Sequence, residues 1–98
     1  MKVKWSKRAF ASFEEYIDFI SLDKPLSAEK WALKVIEKID MLIDFPEIGK
    51  IKLGKSKSGI RELIIDKDFI AAYSVHKDGC KIMSFRRVSQ QIQNNTVV

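Results

Sequence analysis

Lys2-Val3-Lys4-Trp5 alternates charged and apolar side chains, the period-two pattern of a short strand with Val3 and Trp5 on one face. Ser6 follows as a helix N-cap, its hydroxyl suited to accept from an amide of the first turn. Beyond it Phe10, Phe13, Ile17 and Ile20 recur at steps of three and four, while Glu14, Glu15 and Asp18 take intervening positions. That spacing predicts an amphipathic helix with one buried stripe, ending near Asp23-Lys24-Pro25. Ser27 is the expected cap of a second, longer helix, whose stripe is Ala28, Ala32, Val35, Ile36, Ile39, Leu42 and Ile43. Phe45-Pro46 closes it, because the residue before a proline is pushed out of the helical region. So short a connection folds the two helices into an antiparallel hairpin.

The stretch from Gly49 to Gly59 carries Lys50, Lys52, Lys55 and Lys57, broken by Gly54 and two serines, and reads as an exposed, mobile loop. From Arg61 the period drops to two, predicting strands over Arg61 to Asp66, Phe69 to Val75 and Cys80 to Arg87. Asp78-Gly79 is the strongest hairpin signal, since both central residues of a type I′ turn need positive φ, and Lys67-Asp68 is a weaker one. With Asp78 and Gly79 alone as the turn, Val75 faces Ile82, Tyr73 faces Ser84 and Ala71 faces Arg86. Tyr73 and Arg86 then share a face, with Met83, Phe85 and Arg87 on the other. The polar tail from Val88 to Asn95 has no apolar period and is expected to fray. The order predicts an α+β fold: an antiparallel sheet of the N-terminal strand plus a C-terminal three-stranded meander, covered on one face by the helical hairpin. The other face is left open for binding.

Ninety-eight residues, 46% apolar and 32% charged, set the expectation of a single domain over 1–98 with one small core. Cys80 is the only cysteine, which excludes an internal disulfide and makes a cytoplasmic location the default expectation. Met1 to Phe10 has lysines but no apolar run of signal-peptide length, and no segment reaches membrane-spanning length. Eighteen Lys and Arg against thirteen Asp and Glu leave a net charge of +5, which favours a polyanionic or acidic partner. The positive charge is grouped in the loop lysines, Arg61, Arg86 and Arg87, a set suited to phosphates or carboxylates. There is no zinc spacing, phosphate-binding glycine loop or nucleophile elbow, so no metal or cofactor is expected. His76, two residues before the Asp78-Gly79 signal, reads first as an exposed strand-end histidine.

Several segments together resemble a known family. Ser12-Phe13-Glu14-Glu15-Tyr16-Ile17-Asp18-Phe19-Ile20 is similar to the first helix of ParE-like toxins, and Leu42-Ile43-Asp44-Phe45-Pro46-Glu47-Ile48-Gly49-Lys50 to the end of their second. Gly59-Ile60-Arg61-Glu62-Leu63-Ile64-Ile65, Phe69-Ile70-Ala71-Ala72-Tyr73-Ser74-Val75 and Lys81-Ile82-Met83-Ser84-Phe85-Arg86-Arg87 resemble the strands that follow. The chain thus resembles RelE/ParE toxins of type II toxin-antitoxin systems over nearly its whole length. The resemblance implies a growth-arresting toxin silenced by a cognate antitoxin with an acidic segment, and leaves its target open. ParE-like members inhibit DNA gyrase without catalysis, and RelE-like members cut messenger RNA in the ribosome. In the second case Arg61, Arg86 and Tyr73 are the candidate catalytic residues; in either case Lys50, Lys52, Lys55, Lys57, Arg61, Arg86 and Arg87 are candidates for target binding. Arg86 is followed by Arg87, Val88 and Ser89, without the tyrosine or histidine that RelE-like enzymes commonly carry there. Tyr73, His76 or a lysine would have to stand in. That gap and the long hairpin favour the gyrase reading over RNA cleavage, with a plain interaction module as a third class.

Overall fold

The computed structural model describes residues 2–52 and 59–88. The elements run β1 (Lys2–Trp5), α1 (Lys7–Asp23), α2 (Pro25–Asp44), β2 (Lys50–Ile51), β3 (Ile60–Ile65), β4 (Phe69–His76) and β5 (Gly79–Arg87). All the strands join one sheet in the order β1-β5-β4-β3-β2. The two helices cover one face, giving the α+β architecture that the hydrophobic pattern indicates. Two details differ from the expected antiparallel sheet and loop. β1 lies parallel to β5, so the sheet is mixed. Lys50–Ile51, expected within a loop, pairs antiparallel with β3 as a short edge strand. The rest of that loop, with Gly54, Lys55 and Lys57, lies outside the described residues, as does the tail from Ser89 onward.

Ser6 caps α1 as its chemistry predicts: its Oγ accepts from the Ala9 amide at 3.0 Å. The same hydroxyl donates to the Met83 carbonyl at 3.1 Å, and the Ser6 amide donates to Ile82 O at 2.9 Å. The cap therefore also ties the helix to β5. Ser27 does not cap α2. The helix starts two residues earlier, at Pro25, with Lys24 as a cap that makes no side-chain bond. Proline suits a first turn because its φ is already helical and it lacks an amide that would go unpaired there.

The β4–β5 register differs from the expected one. His76 pairs with Gly79, Val75 with Cys80 and Tyr73 with Ile82, so Lys77 and Asp78 make the turn. Met83 then bulges, and beyond it Ala72 pairs with Ser84, Ala71 with Phe85 and Ile70 with Arg86. The expected pairs Val75–Ile82, Tyr73–Ser84 and Ala71–Arg86 do not form. The reason lies in β1: Gly79, at φ 156°, backs so closely onto Lys2 that a Cβ there would come within 2.1 Å of the Lys2 carbonyl oxygen. Gly79 serves that close approach rather than the turn. Positive φ in a hairpin falls instead on Asp66 (48°) and Lys67 (66°), between β3 and β4.

Alternation along these registers sorts the side chains. Val3, Trp5, Leu63, Ile65, Phe69, Ala71, Tyr73, Cys80, Ile82 and Phe85 face the helices, meeting Ala9, Phe13, Val35, Ile39 and Leu42 in one core. Its centre is aromatic: Phe85 stacks on Phe69 with ring centres 5.4 Å apart, Trp31 lies 4.9 Å from Phe69, and Trp5 stacks on Phe13 at 5.1 Å. No described helix is long and apolar enough to cross a membrane.

Candidate functional site

Arg61 and Tyr73 are cross-strand partners on β3 and β4, on the helix-covered side of the sheet. Both reach the turn that leaves α2. The Tyr73 hydroxyl donates to the Pro46 carbonyl and accepts from the Gly49 amide, each at 2.8 Å. Arg61 donates through Nη1 to the Gly49 carbonyl at 2.8 Å and to the Glu47 carbonyl at 3.3 Å, and its Nη2 stands 3.9 Å from the Glu47 carboxylate. The fit is tight: a Cβ on Gly49 would lie 2.7 Å from the Tyr73 ring. Burial pushes the Tyr73 phenol above its ordinary pKa, against the opposing pull of the Gly49 amide. The pair is a clamp on residues 46–49.

On the open face, Glu62 forms the centre of a charge cluster. Its carboxylate accepts from Arg86 Nη2 at 2.9 Å and lies 3.9 Å from the Lys52 ammonium, while Lys50 is its register partner on β2. Arg87, one residue beyond Arg86, alternates to the covered side at the end of β5, opposite Phe69. The basic residues grouped by sequence thus divide. Lys50, Lys52 and Arg86 assemble around Glu62, Arg61 sits on the other face, and Lys55 and Lys57 lie outside the described residues. The register also separates Tyr73 from Arg86. Sequence reasoning passed over Glu62, although the period-two pattern of β3 puts it on the face opposite Arg61, Leu63 and Ile65.

His76 lies at the far end of β4, bonded to the Ser74 hydroxyl at 2.7 Å. It is six residues from Ile70, the partner of Arg86, or roughly 20 Å at about 3.3 Å per residue. Among the described residues no tyrosine or histidine stands beside Arg86 on the open face, where Lys50 and Lys52 are the neighbouring proton donors. The arrangement suits the binding of anions better than acid-base chemistry.

A family model described as the ParE toxin of the type II toxin-antitoxin system parDE matches residues 3–94. The chain belongs to this ParE toxin family. It is also 27% identical over 89 residues to a curated protein of Caulobacter vibrioides named Toxin RelE2, covering 91% of this chain and 97% of that one. Among solved structures it is similar to a chain titled "Chromosomal ParDE TA system from P. aeruginosa", with a TM-score of 0.76, 23% identity, and coverage of 90% of this chain and 96% of the other. At that identity the likeness bears on the fold alone. In this ParE-family chain two exposed apolar areas stand out. Phe19, Leu22 and Leu26 crowd the tip of the helical hairpin, and Phe45 and Ile48 flank the clamped turn.

Proposed function

We propose that this ParE-family toxin arrests growth by binding DNA gyrase, without catalysis, and is silenced by a cognate antitoxin whose acidic segment covers the basic and apolar surfaces. One observation carries the reading: Tyr73, Arg61 and Arg86, the candidate catalytic residues for metal-free RNA cleavage, are bonded to other groups of the protein. Such cleavage needs a base for the ribose hydroxyl, a cation for the developing phosphorane charge and an acid for the leaving oxygen. Tyr73 has its hydroxyl bonded on both sides, Arg61 clamps a turn on the covered face, and Arg86 is bonded to Glu62. A surface of exposed apolar and basic residues remains, which fits binding to a protein target. Membership of the ParE family supports it. Purified protein added to a supercoiling reaction should inhibit gyrase in proportion to its concentration; undiminished supercoiling at stoichiometric excess would reject the reading. Coexpression with the cognate antitoxin should restore growth and yield a stable complex.

Ribosome-dependent messenger-RNA cleavage is the second reading, favoured by the grouping of Lys50, Lys52 and Arg86 and by the likeness to the protein named RelE2. Primer extension on translated transcripts would then show codon-positioned cuts that the Arg86→Ala variant loses.

A further inference from the structure

A second basic region lies at the opposite end of the sheet from Arg86. On β1, Lys2 and Lys4 alternate with the core residues Val3 and Trp5, so both lysines face the open side. The parallel register sets Lys4 beside Lys81 of β5 and Lys2 beside Gly79. With Lys7 of the first α1 turn and His76 of β4, these lysines line a hollow of about 500 Å³. Four lysines meet one carboxylate there, that of Asp78. Among the described residues, none of the four lysines forms an ion pair. Ammonium groups held on neighbouring strands, about 5 Å apart at the backbone, repel one another until an anion neutralises them.

We infer that this hollow binds the phosphates of a nucleic-acid strand, with Lys2, Lys4 and Lys81 as the contacting row and Lys7 and His76 at its margins. Along β1 the two lysines stand roughly 7 Å apart, at about 3.4 Å per residue. That step is comparable to the separation of successive phosphates in an extended strand. Lysine is a compact point charge that meets phosphate oxygens without a fixed approach angle, and the cations of the hollow are lysines, with no arginine among them. An acidic protein segment that orders on binding also needs apolar surface to bury. Here Trp5 and Cys80, the apolar lining residues, are packed into the core, and the most exposed apolar residues, Phe19, Leu22 and Leu26, lie at the hairpin tip, which leaves Phe10 and Met83 beside Trp5 and Ser6 as the apolar surface at the hollow's border. Lysines on an edge strand also deter edge-to-edge pairing, but Lys81 sits on an inner strand and Lys7 on a helix, where that role has no use for them. The inference holds for either target, since gyrase and the ribosome both act with nucleic acid.

The test is fluorescence anisotropy of the full chain with a short labelled single strand, DNA in one arm and RNA in the other, over a salt series. The expected result is salt-dependent binding that the Lys4→Ala/Lys81→Ala double variant weakens about tenfold or more, with a salt slope shallower by about 1.4 for two lost contacts. A Lys30→Ala/Lys34→Ala variant, which removes equal charge from the exposed side of α2, should keep the affinity. Equal weakening by both variants would reduce the effect to net charge and overturn the site. So would absence of binding in both arms, or tighter binding of a glutamate-rich peptide than of either strand. All four lysines are exposed, so folding is not at stake, and circular dichroism checks it. The readout is independent of supercoiling, so failure of the gyrase reading leaves this binding standing and the reverse also holds.

Discussion

The Tyr73 hydroxyl closes two hydrogen bonds to the turn that leaves α2, and phenylalanine would keep the ring while leaving the buried Gly49 amide and the Pro46 carbonyl without their partner. Tyr73→Phe should therefore lower stability by about 1–3 kcal/mol in urea unfolding at neutral pH. The same residue sets an alkaline limit. Burial raises its pKa, so the fold favours the protonated phenol. That contribution is present in full below the ordinary tyrosine pKa of about 10 and is lost as pH climbs from there through the raised value. The parent protein should lose stability above about pH 10 more steeply than Tyr73→Phe. An equally steep decline in the variant would place the alkaline sensitivity on another group. Arg61 and Tyr73 stood out in the sequence as charged and aromatic residues at strand positions. Their shared task of holding residues 46–49 was not legible there, because it depends on a turn brought to them by the whole length of α2.

Among the elements, β1 is the most exposed to a single change. It is four residues long, an edge strand, and approaches β5 so closely at Gly79 that any side chain there must displace it. Gly79→Ala should cost about 1–3 kcal/mol through overpacking and shift the emission of Trp5 as the strand moves. Unchanged stability and emission would mean that β1 has room to yield. The cap of α1 is a milder case. Ser6→Ala removes one helix-end bond and the tie to Met83, for an expected loss of about 1 kcal/mol in thermal or urea unfolding. Both helices, most of the faces they bury and the Ser6 cap were legible in the sequence, because steps of three and four and a capping hydroxyl act within one or two turns; Phe10 and Ile43 of the expected stripes are exposed. The start of α2 was not read correctly, since Pro25 at the helix start outweighed the better capping chemistry of Ser27.

At the scale of the molecule the core is an aromatic stack between sheet and hairpin, with Phe85 at its centre against Trp5, Phe13, Tyr16, Trp31 and Phe69. Phe85→Ala should cost about 3–5 kcal/mol, a large share of the stability of so small a protein, and be visible as loss of the cooperative unfolding transition near room temperature. Cys80 reports on the same core. It is 3% exposed, and burial pushes its thiol above its ordinary pKa, so a thiol reagent should modify it slowly in the native protein and rapidly in denaturant. Rapid native labelling would show that the β1 side of the core opens readily.

The pattern of apolar positions by itself determined the two helices, the three long strands and the helical cover on one side of a sheet. These follow from periodicity, which is local. Tertiary structure decided the direction and neighbour of β1, the pairing of β2 and the offset between β4 and β5. Those depend on which backbones approach one another, and alternation is indifferent to them until two strands meet. A one-residue offset exchanges the two faces of a strand, and the bulge at Met83 exchanges them partway along β5. For that reason the chain order could name Arg61, Tyr73, Arg86 and the lysines as candidates. Only the folded sheet could set Arg86 with Glu62 and Lys52 on the open face, place Arg61 and Tyr73 beneath it, and gather Lys2, Lys4 and Lys81 into one row.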